Sequence, residues 1–173
     1  MSVVIPSTQQ KLREAQFFLS KLESHECTLD GSSRDESEFY LSAFLSAARS
    51  VTFVLESEQP VNYKEWSSIW RASRSERERL LLSQFTEARN RALKRETPPV
   101  ETDRSAFFPQ PSAALPPELL GFFFDEDAPP VYGFRALKCR LTPDDPEEHV
   151  VPLCREYEVL LSLLVRDFLD ANA

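Results

Sequence analysis

The chain has 173 residues, 42% hydrophobic and 28% charged, which suits one domain with a real core and argues against intrinsic disorder. Its net charge of −8 argues against general nucleic-acid binding, DNA above all, and no apolar run approaches the roughly 20 residues that span a bilayer. Three cysteines, Cys27, Cys139 and Cys154, form no CxxC pair and leave one over. A disulfide framework or zinc knuckle is therefore not expected, and with no basic segment ahead of Pro6 a cytoplasmic protein, away from membranes, is.

Proline sets the organisation. None of the 13 falls between Val61 and Thr97, whereas eleven lie between Pro98 and Pro152 with two of the three glycines, so long helices must flank an irregular segment. The first predicted helix starts at Ser7, which forms a capping-box pattern with Gln10, and runs to about Ser24 with Leu12, Ala15, Leu19 and Leu22 on one face. Ser33 and Glu36 form a second such pattern for a helix reaching roughly Glu56. There Tyr40, Phe44, Ala47, Ala48, Val51 and Leu55 make a broad stripe, and Phe39, Leu45 and Phe53 make the opposite side apolar too, so this helix is expected in the middle of a bundle. Ser42, Ser46 and Ser50 lay a small-residue track along it for close helix packing.

After Pro60, the residues Tyr63, Trp66, Ile69 and Trp70 predict a short helix with its aromatic side inward, interrupted by the Ser/Arg cluster at residues 71–75. From Ser75 to about Glu96 a further helix carries Leu81, Phe85, Ala88 and Ala92 on one face, with Leu82, Arg89 and Leu93 on its flank. Asn90 and Lys94, four apart, share the side facing away. Residues 98–150 lack a helical period, and the runs Ala106-Phe107-Phe108, Phe122-Phe123-Phe124 and Val131 to Leu141 predict two or three short strands. Helix resumes near Val151 with Pro152 in an N1-like position, and Leu153, Tyr157, Leu160, Leu161, Leu164 and Phe168 give a core stripe to about Leu169. The expected fold is mainly α: one domain, residues 1–173, as a four-helix up-down bundle with a Pro-rich, partly extended insertion at about 98–150 before the last helix.

Charge is uneven along this chain. Arg71 to Glu96 holds eight basic residues against four acidic ones, a local +4 on a remainder of −12. This is either a solvated face laced with pairs such as Glu87 and Arg91, or a patch that meets phosphate or the acidic part of a second copy. Only His25 and His149 could serve as general acid or base near neutral pH, and neither has a partner at useful spacing. His25-Glu26-Cys27 does not complete a metal site. The three isolated glycines build no phosphate loop, no GxSxG elbow occurs, and neither Asp125-Glu126-Asp127 nor Asp144 to Glu148 has EF-hand spacing. No cofactor is expected.

The segment Phe39 to Val51, followed some forty residues later by Arg89-Asn90, resembles the HEPN superfamily of bacterial helical-bundle proteins, best over residues 7–96. The resemblance implies a homodimer in which an Arg, commonly followed by Asn, and a His a few residues on line a shared ribonucleolytic cleft. Arg89-Asn90 matches the front of that motif, but Lys94 stands where the histidine is expected. Lysine stays protonated unless burial lowers its pKa strongly, so it holds a phosphate better than it moves a proton. The resemblance thus implies a degenerate, noncatalytic relative acting as a dimeric interaction or regulatory module. The alternatives are a metal-independent ribonuclease of toxin–antitoxin type using Arg89, Asn90 and Lys94, or a nucleotide- or phosphate-binding helper. Candidate phosphate- or RNA-binding residues are Arg49, Arg89, Arg91, Lys94 and Arg95. Arg89 has a plainer reading as a helix-edge arginine paired with Glu38 or Glu87.

Overall fold

A computed structural model describes residues 3–27, 34–94, 98–103 and 136–173, and among these residues there are five helices and three short strands. The protein is mainly helical. α1 (Pro6–Cys27) places Pro6 at the first helical position, where its missing N–H costs nothing, and buries Ala15, Leu19 and Leu22 at helical spacing. The expected Ser7–Gln10 box does not form. The backbone N–H groups of Ser7 and Thr8 instead donate to the two oxygens of Glu58, at 2.9 and 3.0 Å, and the Thr8 hydroxyl donates to the same carboxylate at 2.6 Å. The cap comes from the end of the next helix, where a negative charge meets the positive end of the α1 dipole.

α2 (Arg34–Glu58) is the hub, touching every other helix and β1 (Val100–Asp103). Its N-terminus coincides with the Ser33–Glu36 pattern, although Ser33 itself lies outside the described residues. Leu41, Phe44, Ala48, Val51 and Leu55 are fully enclosed, each burial of this kind being worth about 1.5–3 kcal/mol for a large side chain. The opposite side departs from expectation. Leu45 is buried, but Phe39 is 68% exposed and Phe53 49% exposed, because α4 covers only part of that flank, so α2 is not enclosed all round.

α3 (Pro60–Ala72) turns Tyr63 and Trp70 inward, and the Trp70 indole N–H donates to Asp167 at 3.0 Å; Ile69, expected inward, is exposed. A turn at Ser73 and Arg74 separates it from α4 (Glu76–Lys94). Here a real capping box forms: the Ser75 N–H donates to Glu78 at 2.7 Å, and the Glu78 N–H donates back to the Ser75 hydroxyl at 3.3 Å. The Ser75 N–H bond, with a second from the Ser75 hydroxyl at 2.8 Å, holds the Glu78 carboxyl below its ordinary range. Leu81, Phe85 and Ala88 face the core, where Phe85 meets Phe44 edge-on and stacks on Tyr157 at a centroid distance of 4.1 Å.

β1, β2 (Ala136–Cys139) and β3 (Glu148–His149) form an antiparallel sheet in that order, with Val100 opposite Cys139 and Cys139 opposite Glu148. β2 falls inside the expected Val131–Leu141 run. β1 and β3 lie outside the runs chosen from sequence, and the Phe107 and Phe122–Phe124 runs lie outside the described residues. Between β2 and β3, Asp145 accepts from the Thr142 N–H at 3.0 Å and from Gln84 of α4 at 2.8 Å, tying the acidic loop to the helices. α5 (Val150–Ala171) has the fullest apolar stripe, from Val150 to Phe168. Pro152 is its third residue rather than its first, a position whose N–H is likewise free of any intrahelical bond. Cys139 and Cys154 are buried free thiols, both pushed up by burial, Cys139 to about 12. Cys27 falls in the last residue of α1. Among the described residues no helix is long and apolar enough to cross a membrane.

Candidate functional site

A cleft of about 490 Å³ opens where α2, α3 and α4 meet over α5. Each of the three upper helices contributes an arginine: Arg49, Arg71 and Arg79. Along α4, Arg79, Ser83, Thr86 and Asn90 recur every three or four residues, so one polar stripe forms a wall. Tyr157 is the floor, 2% exposed. Glu87 is the one carboxylate lining the cleft among the described residues.

None of the three arginines forms an ion pair among the described residues, and Arg71 and Arg79 are exposed. Arg49 donates to the Thr52 hydroxyl at 2.6 Å and lies 4.2 Å over the Phe53 ring, while its Nε is buried with no partner. Burial pushes the Tyr157 phenol up to about 12, against the opposing pull of Arg49 and Arg71. Tyr157 is thus a neutral hydrogen-bond donor near pH 7.

A smaller chamber of about 280 Å³ adjoins the first along Arg49, Thr52 and Arg71, and extends past Phe53 to Glu56, Tyr63 and Lys64. The Tyr63 hydroxyl is buried with no well-formed hydrogen bond, and its pKa is raised by that burial, opposed by the charge and close approach of the Arg71 guanidinium.

The sequence-predicted residues divide. Arg49 and Asn90 come together in the cleft. Arg89 turns to the other side of α4, into a groove of about 300 Å³ with Phe39, Ser42, Ser46 and Leu93. It donates to Asn90 at 3.3 Å, lies 5.9 Å from the Phe53 ring and keeps a buried, unpartnered Nε; it pairs with neither Glu38 nor Glu87. Of the serine track, Ser42 and Ser46 line this groove between α2 and α4, with Ser46 exposed, and Ser50 does not. Lys94 is exposed and Arg91 half-buried, and neither lines the cleft or the groove; Arg95 lies outside the described residues.

Neither histidine is near this site. His25 lies against Tyr40 with the rings tilted and their centroids 5.0 Å apart, and sits 3.4 Å from Glu36, while His149 lies beside Arg77 and Glu148 at the sheet. No group of three or more His, Cys, Asp or Glu side chains suited to a metal occurs among the described residues. Sequence reasoning passed over Arg71 and Arg79, although the 79-83-86-90 polar stripe was a usable signal for the second. No family model matches the chain, and searches of curated proteins and of solved structures find no match.

Proposed function

We propose that this protein is a noncatalytic helical module that binds a phosphate-bearing ligand in the cleft between α2, α3 and α4. The observation that carries this reading is the convergence of Arg49, Arg71 and Arg79 from three helices, without paired carboxylates, on an acidic chain. Three guanidiniums exceed what one carboxylate ligand neutralises, and their forked donors match phosphate oxygens. Tyr157 and Asn90 add neutral donors, while no imidazole lines the cleft to move a proton. The four long helices are read as one up-down bundle, with residues 98–150 as its insertion, in a distant and degenerate relative of the HEPN superfamily working in the cytoplasm.

Thermal unfolding tests the binding. Inorganic phosphate and nucleotides raise the melting temperature of the full chain, since ligand held only by the folded state stabilises it, and Arg71→Gln removes the shift. Incubation with labelled RNA leaves the RNA intact. Cleavage that disappears in Arg89→Ala would instead establish the ribonuclease alternative.

A second reading is favoured by the groove beside Arg89, whose rim residues Phe39 and Leu93 are 68% and 62% exposed. There the protein pairs with a second copy or another protein partner. For a second copy, sedimentation gives a dimer that Ser46→Arg dissociates, and a monomer at every concentration removes self-pairing and leaves only another protein partner.

A further inference from the structure

The cleft and the smaller chamber are not independent: Arg49, Thr52 and Arg71 form walls of both. From this strip Arg79 stands on the larger side, and Lys64 and Tyr63 on the smaller one. Four cations therefore follow one trough across three helices. Tyr63 is only 4% exposed, and its hydroxyl makes no well-formed hydrogen bond, the Arg71 guanidinium being the donor close to it, so the hydroxyl's own proton has no acceptor. A buried donor left unmade is costly, and so is an uncompensated guanidinium nitrogen such as the Arg49 Nε. Both costs fall if an anion occupies the trough. Arg79 lines only the larger chamber and Lys64 only the smaller one, so a phosphate seated in either chamber leaves a cation of the other unused.

The geometry points to a ligand with at least two directly linked phosphoryl groups, a di- or triphosphate, lying astride the Arg49–Thr52–Arg71 strip with one group in each chamber. This inference rests on the phosphate-binding reading above and deepens it. In the larger chamber Arg71 and Arg79 hold one phosphoryl group, with the Tyr157 and Asn90 donors beside it. In the smaller chamber Arg49, Lys64 and the neutral Tyr63 hydroxyl hold the other. The carboxylates of Glu56 and Glu87, which line the smaller chamber and the cleft, disfavour a longer anionic chain by repulsion.

Calorimetric titration of the full chain at constant ionic strength, with orthophosphate, pyrophosphate and tripolyphosphate, tests this. Pyrophosphate binds about tenfold more tightly than orthophosphate or better, the worth of one added charge-assisted hydrogen bond. Tyr63→Phe and Lys64→Gln each remove most of that advantage, lowering pyrophosphate affinity several-fold more than orthophosphate affinity. Lys64 is exposed, so its variant reports even if Tyr63→Phe perturbs folding, which a melting curve detects. Equal affinity for orthophosphate and pyrophosphate, both lost in Arg71→Gln, overturns the two-chamber ligand while leaving the phosphate cleft standing. Absence of binding by all three anions overturns both. A single-stranded oligonucleotide that outcompetes tripolyphosphate overturns the inference as well, because its phosphates are separated by sugars.

Discussion

Arg77 and Arg79 stand two residues apart on α4 and meet opposite surroundings. Arg77 donates to Glu156 at 2.9 Å and lies 3.5 Å from Glu148, clamping α4 to β3 and α5, and the Glu156 hydrogen bond raises its pKa further. Arg79 faces the cleft with Arg49 and Arg71 and has no ion pair among the described residues. Carboxylates are not scarce in a chain with 28 acidic and 20 basic residues. Their distribution is what differs: acids pair with cations on the closed side of α4 and cap the start of α1, whereas Glu87, the one carboxylate lining the cleft among the described residues, forms no ion pair there. One side of the helix uses charge for assembly, and the other leaves it available to a ligand.

The largest expected effect lies beneath this contrast, since the cleft floor is part of the core. Phe85, 1% exposed, stacks on Tyr157, so Phe85→Ala should cost about 3–5 kcal/mol in denaturant unfolding and weaken anion binding at the same time. A loss of stability with unchanged binding would separate floor from cleft and break the link between them.

Glu58 sharpens the side where acids are committed. Burial works against its ionisation, but the hydrogen bonds from Thr8 and Ser7 prevail and hold its carboxyl below the ordinary range in the folded state. A depressed folded value means that protons bind the unfolded chain more readily. The cap's contribution is therefore complete above the unfolded pKa and lost as pH falls through the folded one. Glu58→Gln should cost about 1 kcal/mol near pH 7, with a deficit that shrinks toward pH 3. The same deficit at both values would show that charge has no part in the cap.

The smallest effects test the arginines against each other. Arg77 is partly exposed, so Arg77→Ala should cost under about 1 kcal/mol, and less at high salt. Arg79→Gln should leave stability within about 0.5 kcal/mol of the parent, or raise it, because it relieves repulsion in the cleft. A larger loss from Arg79→Gln than from Arg77→Ala, read from denaturant midpoints, would mean that Arg79 has a structural partner and would remove the contrast.

Much of the helical layout could be read before any coordinates. The spacing of Ala15, Leu19 and Leu22, or of Leu153, Tyr157 and Leu164, reports a buried stripe directly, since side chains three or four residues apart share a face. Capping was less transparent. Ser7 and Gln10 match the box pattern, yet Ser7 and Thr8 are capped by Glu58 some fifty residues away, whereas Ser75, read from sequence only as the start of a helix, does form a box with Glu78. Exposure of Phe39 and Phe53 was also hidden, because a greasy flank carries no mark of whether a neighbour reaches it.

The chain by itself determined where helices form, which face of each turns inward and that one stretch is locally basic, because these follow from hydrophobic period, proline placement and a count of charges. Only the tertiary structure decided which arginines are neutralised. Successive residues rotate by about 100° around a helix, so Arg77 and Arg79 point about 160° apart once two steps are taken the short way round. What each then meets depends on helices and strands far away in sequence: Glu148 and Glu156 for one, Arg49 and Arg71 for the other. Coulomb energy depends on separation through space, and folding alone sets that separation.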